Sequence, residues 1–207
     1  MTSSEDTALS PGAIAHFAQT VGASHAGEPA ATARVAVVGA KFNGGITERL
    51  MEGALAALKD HGVPLDTVTV AWVPGAFELP LAAARLGRTG AHDAVVALGA
   101  VIRGDTAHFE FVAGECAAGL QRVALDTGIP VVFGVLTTDT VAQALERAGV
   151  GGANKGYEAA VTALEMVGLV AALDEPARSG AALLGAARSE PARSDAGRPR
   201  PAGGRRS

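Results

Sequence analysis

The sequence predicts a three-layer α/β fold, a four-stranded parallel sheet with helices on both faces. Three observations carry this expectation. Short β-branched runs alternate with helix-spaced runs between residues 34 and 173, and that alternation implies a parallel sheet with right-handed crossovers. The run 93–102 (DAVVALGAVI) is almost wholly apolar, as a strand covered on both faces has to be. The 207 residues include 27 Gly and much Ala but only 4% aromatics, a mixture that favours helices packed closely on a sheet.

Each element has its own local reason. Residues 34–39 (RVAVVG) form a β-branched run that stops at a glycine. Residues 46–61 place Ile46, Leu50, Ala54, Leu55 and Leu58 at helical spacing and end at Gly62. Residues 68–73 read as a second strand, ended by Pro74. Residues 78–86 read as a helix in which Pro80 is tolerable only in the first turn. The third strand, 93–102, precedes a helix over 109–126. A fourth strand covers 130–136. Helices follow over 140–148, with Asp139 as a candidate cap, and over 154–173.

Charge divides the chain into three. Residues 1–33 hold Glu5, Asp6 and Glu28 and no Lys or Arg. Residues 34–175 hold 10 Lys and Arg against 16 Asp and Glu. Residues 176–207 hold seven Arg against Glu190 and Asp195, and almost no large apolar residue. The expectation is a flexible extension over 1–33, a domain over 34–175, and a disordered basic tail over 176–207 that cannot offset its ordering entropy. The overall charge of −4 excludes strong non-specific nucleic-acid binding by the whole molecule. The single Cys116 excludes an intramolecular disulfide framework and a cysteine-cluster zinc site, and its mid-helix place among small residues predicts a buried, inert thiol. No uninterrupted apolar run approaches the ~18 residues of a membrane span, and no secretory leader is visible, so a cytoplasmic location is expected.

Ligands of such sheets bind beyond the carboxyl ends of the strands. Four segments occupy that address: 40–45 (AKFNGG), 74–78 (PGAFE), 103–108 (RGDTAH) and 137–139 (TTD). Gly39–Gly45 has the glycine spacing of a phosphate loop but lacks the Lys–Ser/Thr that a nucleoside triphosphatase needs. There is no dinucleotide fingerprint after the first strand, no H-E-x-x-H, no grouping of the five His that would hold a metal, and no nucleophile elbow.

Residues 104–106 leave a strand and enter a helix, where backbone N–H groups and the helix dipole favour an anion. His108 follows at the same mouth, and an imidazole with an unperturbed pKa near 6.5 can carry a proton there. A plain capping loop with a surface histidine is the other reading. Phe42 and Phe77 are two of six phenylalanines and both fall in strand-end loops, where an aromatic either stacks on a planar heterocycle or plugs the core. Arg147 ends a short helix, as a bidentate phosphate ligand or as a cation favoured at a helix C-terminus. Lys155 precedes the last helix and is by itself an ordinary surface lysine.

Taken together, AKFN (40–43), AWVPGAFELP (71–80), GAVIRGDTAHFEFV (99–112), PVVFGVLTTD (130–139), RAG (147–149) and NKGYEAA (154–160) stand in an order that resembles the 6,7-dimethyl-8-ribityllumazine synthases of riboflavin biosynthesis. The resemblance spans 34–173. It implies a flavodoxin-like layer and the condensation of 5-amino-6-(D-ribitylamino)uracil with 3,4-dihydroxy-2-butanone 4-phosphate, with no metal or redox cofactor. It further implies that Phe42 stacks on the pyrimidine, that Ala76, Phe77 and Glu78 line the uracil and ribityl pocket, and that Ala100, Val101 and Ile102 give backbone contacts. Asp105 and Thr106 would hold phosphate and His108 would carry protons. Phe133 and Arg147 would reach the site from a neighbouring subunit, with Lys155 close by.

The resemblance also implies a homo-oligomer, a pentamer or a sixty-subunit shell, with riboflavin synthase or an anionic cargo as candidate partners. Lys41 stands where the family often has Arg, and Gly44-Gly45 makes the first loop unusually flexible. Neither terminal segment matches the family. Two rivals stand beside this reading. One is the archaeal-type riboflavin synthase, which has no phosphate to hold. The other is a specialised paralogue serving as a shell-forming or flavin- and lumazine-binding protein with little catalysis.

Overall fold

The structure, a computed structural model, describes residues 10, 12, 14–15, 25–149 and 153–188, with side chains to Glu175. Most of the expected N-terminal extension and residues 189–207 of the expected tail lie outside the described residues. The chain divides into a unit Met1–Leu173 and a unit Asp174–Ser207; the sheet belongs to the first.

Four parallel strands, β1 (Val35–Ala40), β2 (Thr69–Val73), β3 (Ala94–Ile102) and β4 (Val131–Thr138), stand in the order β2-β1-β3-β4. The helices are α1 (Gly44–Asp60), α2 (Leu79–Gly87), α3 (His108–Thr127), α4 (Val141–Arg147) and α5 (Lys155–Arg188). One core cluster joins Val35, Val37, Val96 and Leu98 of the sheet to α1, α4 and α5. The other joins Ala36, Val38, Val95 and Ala97 to α2 and α3. Side chains alternate between the two faces along each strand, so β1 and the first eight residues of β3 are buried throughout. This is the expected three-layer, flavodoxin-like sheet.

One local expectation changes. Asp139 does not cap α4. Thr140 has the extended backbone of an N-cap and accepts from the Gln143 N–H at 3.1 Å, which leaves the Asp139 carboxylate for another partner. The stretch Lys155–Glu175 of α5 is long and apolar enough to cross a membrane by length and composition, although Glu158 and Glu165 interrupt it and no uninterrupted apolar run of that length exists. Its inner face, however, is core: Ala159, Ala160, Ala163 and Leu164 pack under the sheet.

Packing also begins before residue 34. Ala33 is buried, and the Ala30 N–H donates to Leu164 O at 3.3 Å. A Cβ on Gly27 would lie 2.0 Å from Glu165 O, and one on Gly168 2.2 Å from Glu28 O. Paired glycines thus let the lead segment run directly against α5. Cys116 is fully buried, and burial pushes its thiol up to about 11, so the thiol stays protonated and unreactive at neutral pH.

Candidate active site

Strand order places β2 on one side of β1 and β3 on the other. The crevice beyond the carboxyl ends of β1 and β3 is the topological switch point, where open α/β sheets bind ligands. A cavity of about 630 Å³ opens there, within the usual range for small-molecule sites. Three of the four strand-end segments line it.

The first wall is Phe42 and Asn43, between β1 and α1. Asn43 sits in the left-handed region at φ 56°, which Asn tolerates better than most residues. Its carbonyl accepts from the N–H groups of Ile46 and Thr47, and its Nδ2 donates to Ala100 O at 2.8 Å. That bond ties the β1 loop to β3 and turns Phe42 outward. Phe42 is 72% exposed, so the core-plug reading does not hold in this chain. Its face is free for a planar ligand.

The second wall is the turn after β2. Ala76–Glu78 form one 3-10 turn, and the Glu78 carboxylate accepts from the Gly75 N–H at 2.9 Å. That contact holds the loop closed. Phe77 is 57% exposed beside it. Pro80 then falls in the first turn of α2, where its missing N–H costs nothing.

The third wall is the end of β3 and the start of α3: Ala100, Val101, Ile102, Gly104, Thr106, His108, Phe109, Phe111 and Val112. The N-cap residue of α3, Ala107, offers no side-chain bond to the first turn. The first N–H groups of a helix lack the usual i−4 partner; the Glu110 N–H donates to Ala107 O at 3.2 Å, and those that stay open favour an anion through the dipole. His108 begins the helix, with its N–H at a long 3.5 Å from Thr106 Oγ1. Asp105 belongs to the same loop but does not line the cavity.

The remaining predicted residues are elsewhere. Phe133, Arg147 and Lys155 line a separate recess along the edge strand β4. Arg147 donates from Nη1 to Gln143 O at 3.2 Å, closing its own helix. Lys155 Nζ donates to both carboxylate oxygens of Glu158, at 2.8 and 2.6 Å. Within one chain, therefore, the structure brings together Phe42, Ala76–Glu78, 100–102, Thr106 and His108, and does not bring Phe133, Arg147 or Lys155 to them.

Three residues that line the cavity, Asn43, Phe111 and Val112, are not among those the sequence singles out. Asn43 had a signal, an Asn at a strand-to-helix junction where left-handed backbone is common. Phe111 and Val112 had another: they follow His108 by three and four residues, on one helix face.

The fold and the cavity define a class of α/β protein with its candidate site at the switch point of a parallel sheet. The sequence model of the 6,7-dimethyl-8-ribityllumazine synthase family matches residues 32–171. A curated protein of Edwardsiella ictaluri (strain 93-146), named 6,7-dimethyl-8-ribityllumazine synthase, is 58% identical over 142 residues, 68% of this chain and 91% of its own length. The chain belongs to the 6,7-dimethyl-8-ribityllumazine synthase family.

Proposed function

We propose that the switch-point cavity is where this enzyme forms its product, and that a neighbouring chain completes the site. Family membership makes the chain a transferase of riboflavin biosynthesis. The reaction condenses 5-amino-6-(D-ribitylamino)uracil with 3,4-dihydroxy-2-butanone 4-phosphate to 6,7-dimethyl-8-ribityllumazine. An imine forms between amine and ketone with loss of one water, phosphate is eliminated, and the ring closes on the second carbonyl with loss of another water. Both reactants are already activated. The protein's task is orientation, proton movement and stabilisation of the charge on departing phosphate.

In this reading Phe42 carries the pyrimidine on its exposed face. Ala100, Val101 and Ile102 bond it through their backbone, while Ala76, Phe77 and Glu78 bound the ribityl chain. Thr106, Asp105 and the open N-terminus of α3 hold the phosphate. His108, at the same helix end, moves protons between the reacting nitrogen, oxygen and carbon atoms. Phe133 and Arg147 of a second chain close the site, Arg147 on the phosphate and Lys155 beside it.

The observation that carries the reading is the meeting of an exposed aromatic face, a histidine and an uncapped helix N-terminus around one cavity. The separate recess of Phe133, Arg147 and Lys155 supports a shared site, because no single chain unites the two halves. The family's small-molecule chemistry and oligomeric habit agree with this. For the assembly we favour a sixty-subunit shell of pentamers. The deciding experiment incubates the full chain with both substrates and follows lumazine fluorescence. Enzyme-dependent product and competition by inorganic phosphate against the butanone phosphate are expected. Absence of enzyme-dependent product overturns the reading. Light scattering that gives a monomer mass for active protein overturns the shared site.

A further inference from the structure

Arg103 has no role in anything described so far. It follows the last residue of β3, and its N–H donates to Thr138 O at 2.9 Å, carrying the β3–β4 pairing one step past the strand. From there the guanidinium reaches in two directions. Nε donates to Asp139 Oδ1 at 2.8 Å, and Nη1 donates to Glu110 Oε1. Cζ lies 4.2 Å from the centroid of the Phe109 ring, close enough for a cation–π contact.

The anchors on either side are firm. The Asp139 N–H donates to Gln143 Oε1 at 2.9 Å, and Gln143 is bonded in turn to the Thr140 cap. Glu110 and Phe109 belong to the first turn of α3. One side chain therefore fastens both ends of segment 104–108, to the edge of the sheet and to the start of the helix. The segment has few ties of its own. The Thr106–His108 contact is long, Ala107 supplies no cap, and no atom lies within 4 Å of a Cβ built on Gly104.

The charges are arranged to a purpose. Glu110 stands in the first turn of α3, where its carboxylate would compete with an incoming anion for the helix N-terminus. Arg103 pairs with it and offsets part of its charge, while also pairing with Asp139. The three side chains are 44%, 55% and 67% exposed, and exposed ion pairs add little to global stability. Arg103 does not line the cavity. Its contribution is to local geometry and local charge.

We infer that Arg103 is a positioning residue of this enzyme: it sets segment 104–108, and with it His108, for phosphate binding and proton transfer, and it shields the phosphate from Glu110 and Asp139. The inference rests on the proposed phosphate role of that segment.

The test uses the full-length chain as wild type, Arg103→Ala, Arg103→Lys, His108→Ala and Arg103→Ala/His108→Ala. Wild type must first form lumazine; failure there defeats the proposed function and leaves nothing for Arg103 to position. Given active wild type, Arg103→Ala is expected to keep its Tm and assembly. It should lose about 10–100-fold in kcat/KM for the butanone phosphate, the scale of a displacement near 1 Å. Inhibition by inorganic phosphate should weaken by about tenfold, and the KM for the pyrimidine should move less than about twofold. Arg103→Lys should recover only part of the loss, because an ammonium is a point charge that cannot reproduce the fork. In the His108→Ala background, Arg103→Ala should cost clearly less than in wild type.

Unchanged kinetics and phosphate inhibition in a folded Arg103→Ala protein overturn the inference. So does a loss equal in both backgrounds, or one that tracks a fall in Tm. Should Arg103→Ala fail to assemble, Glu110→Gln and Asp139→Asn each cut one positioning arm while removing a repelling carboxylate, and each is expected to lower kcat by about tenfold without weakening inorganic-phosphate inhibition. Full retention of kcat by both is the contrary result.

Discussion

The cavity at the ends of β1 and β3 and the recess along β4 carry the same kinds of side chain but hold them differently. In the cavity Phe42 and Phe77 are open to ligand, and the helix end behind His108 lacks a side-chain cap. In the recess the cations are occupied, Arg147 on the carbonyl of its own helix and Lys155 on Glu158. The first region is poised within one chain. The second has its charges satisfied locally, and it supplies a neighbour only if incoming phosphate outcompetes those bonds. A surface Lys–Glu contact contributes at most about 1 kcal/mol and a single charged Arg–carbonyl bond about 1.5–3 kcal/mol, so a doubly charged phosphate that engages the same cations can displace both.

That contrast can be broken by experiment. The largest effect should come from the cavity. His108→Ala is expected to lower kcat by about 10²–10⁴-fold while leaving Tm and assembly alone, measured by steady-state kinetics beside thermal unfolding. Wild-type turnover in a folded variant would remove His108 from the chemistry.

Next comes the recess. Arg147→Ala should raise the KM for the butanone phosphate by about tenfold or more, the worth of one charged hydrogen bond of 1.5–3 kcal/mol, and spare the pyrimidine. The two regions are then set against each other by co-refolding His108→Ala with Arg147→Ala chains. If the recess serves a neighbour's cavity, about a quarter of the sites in a random mixture regain both groups, as a head-to-tail interface requires. Activity that stays at the mean of the two parents would place both groups' effects within one chain.

A smaller effect is expected from Gly156→Ala. A Cβ there would lie 2.0 Å from Leu50 O, pushing the start of α5 off α1, and overpacking of this kind costs about 1–3 kcal/mol. Because Lys155 is the preceding residue, the variant should lose stability and phosphate affinity together, yet keep pyrimidine binding. Loss of pyrimidine binding instead would mean that the two regions are mechanically one.

The smallest effect lies at the opposite end of the sheet and serves as a control for both regions. Arg34 donates from its side chain to both oxygens of Asp93, which also accepts from the Arg34 N–H. The guanidinium holds the Asp93 carboxyl below its usual range. A depressed carboxyl pKa stabilises the fold above the unfolded value of about 3.9 and is lost as pH falls through the lower folded value. Asp93→Asn should therefore flatten part of the fall in Tm below about pH 4 without touching kcat at neutral pH. An altered kcat would show that the base of the sheet communicates with its top.

Much of this was legible in the chain. Period-two and helical runs, closed by Gly and Pro, marked all four strands and four of the helices within a few residues, because side-chain periodicity is a local property; the last helix was expected to stop at 173 but runs to Arg188, into the stretch expected to be disordered. The motifs at the strand ends identified the family. The Thr140 cap was harder: Asp139 and Thr140 are both good capping residues, and the choice fell to Thr140 because Arg103, 36 positions away in sequence, engages Asp139. The packing of Gly27 on α5 could not be read from a polar, low-complexity lead, since its signal is a close approach to Glu165.

By itself, then, the sequence determined the order of elements, the parallel sheet and the chemical groups offered at the strand ends: aromatic rings, a histidine and a glycine-rich turn into a helix. These follow from spacing and residue type, which act over a turn or a strand. Only the tertiary structure decided which groups share a cavity. It separated Arg147 and Lys155 from His108, joined Asn43 to Ala100, and drew Arg103 to Asp139 and Glu110. Those contacts depend on strand order and register, which bring distant positions side by side, and no local pattern of residues encodes them.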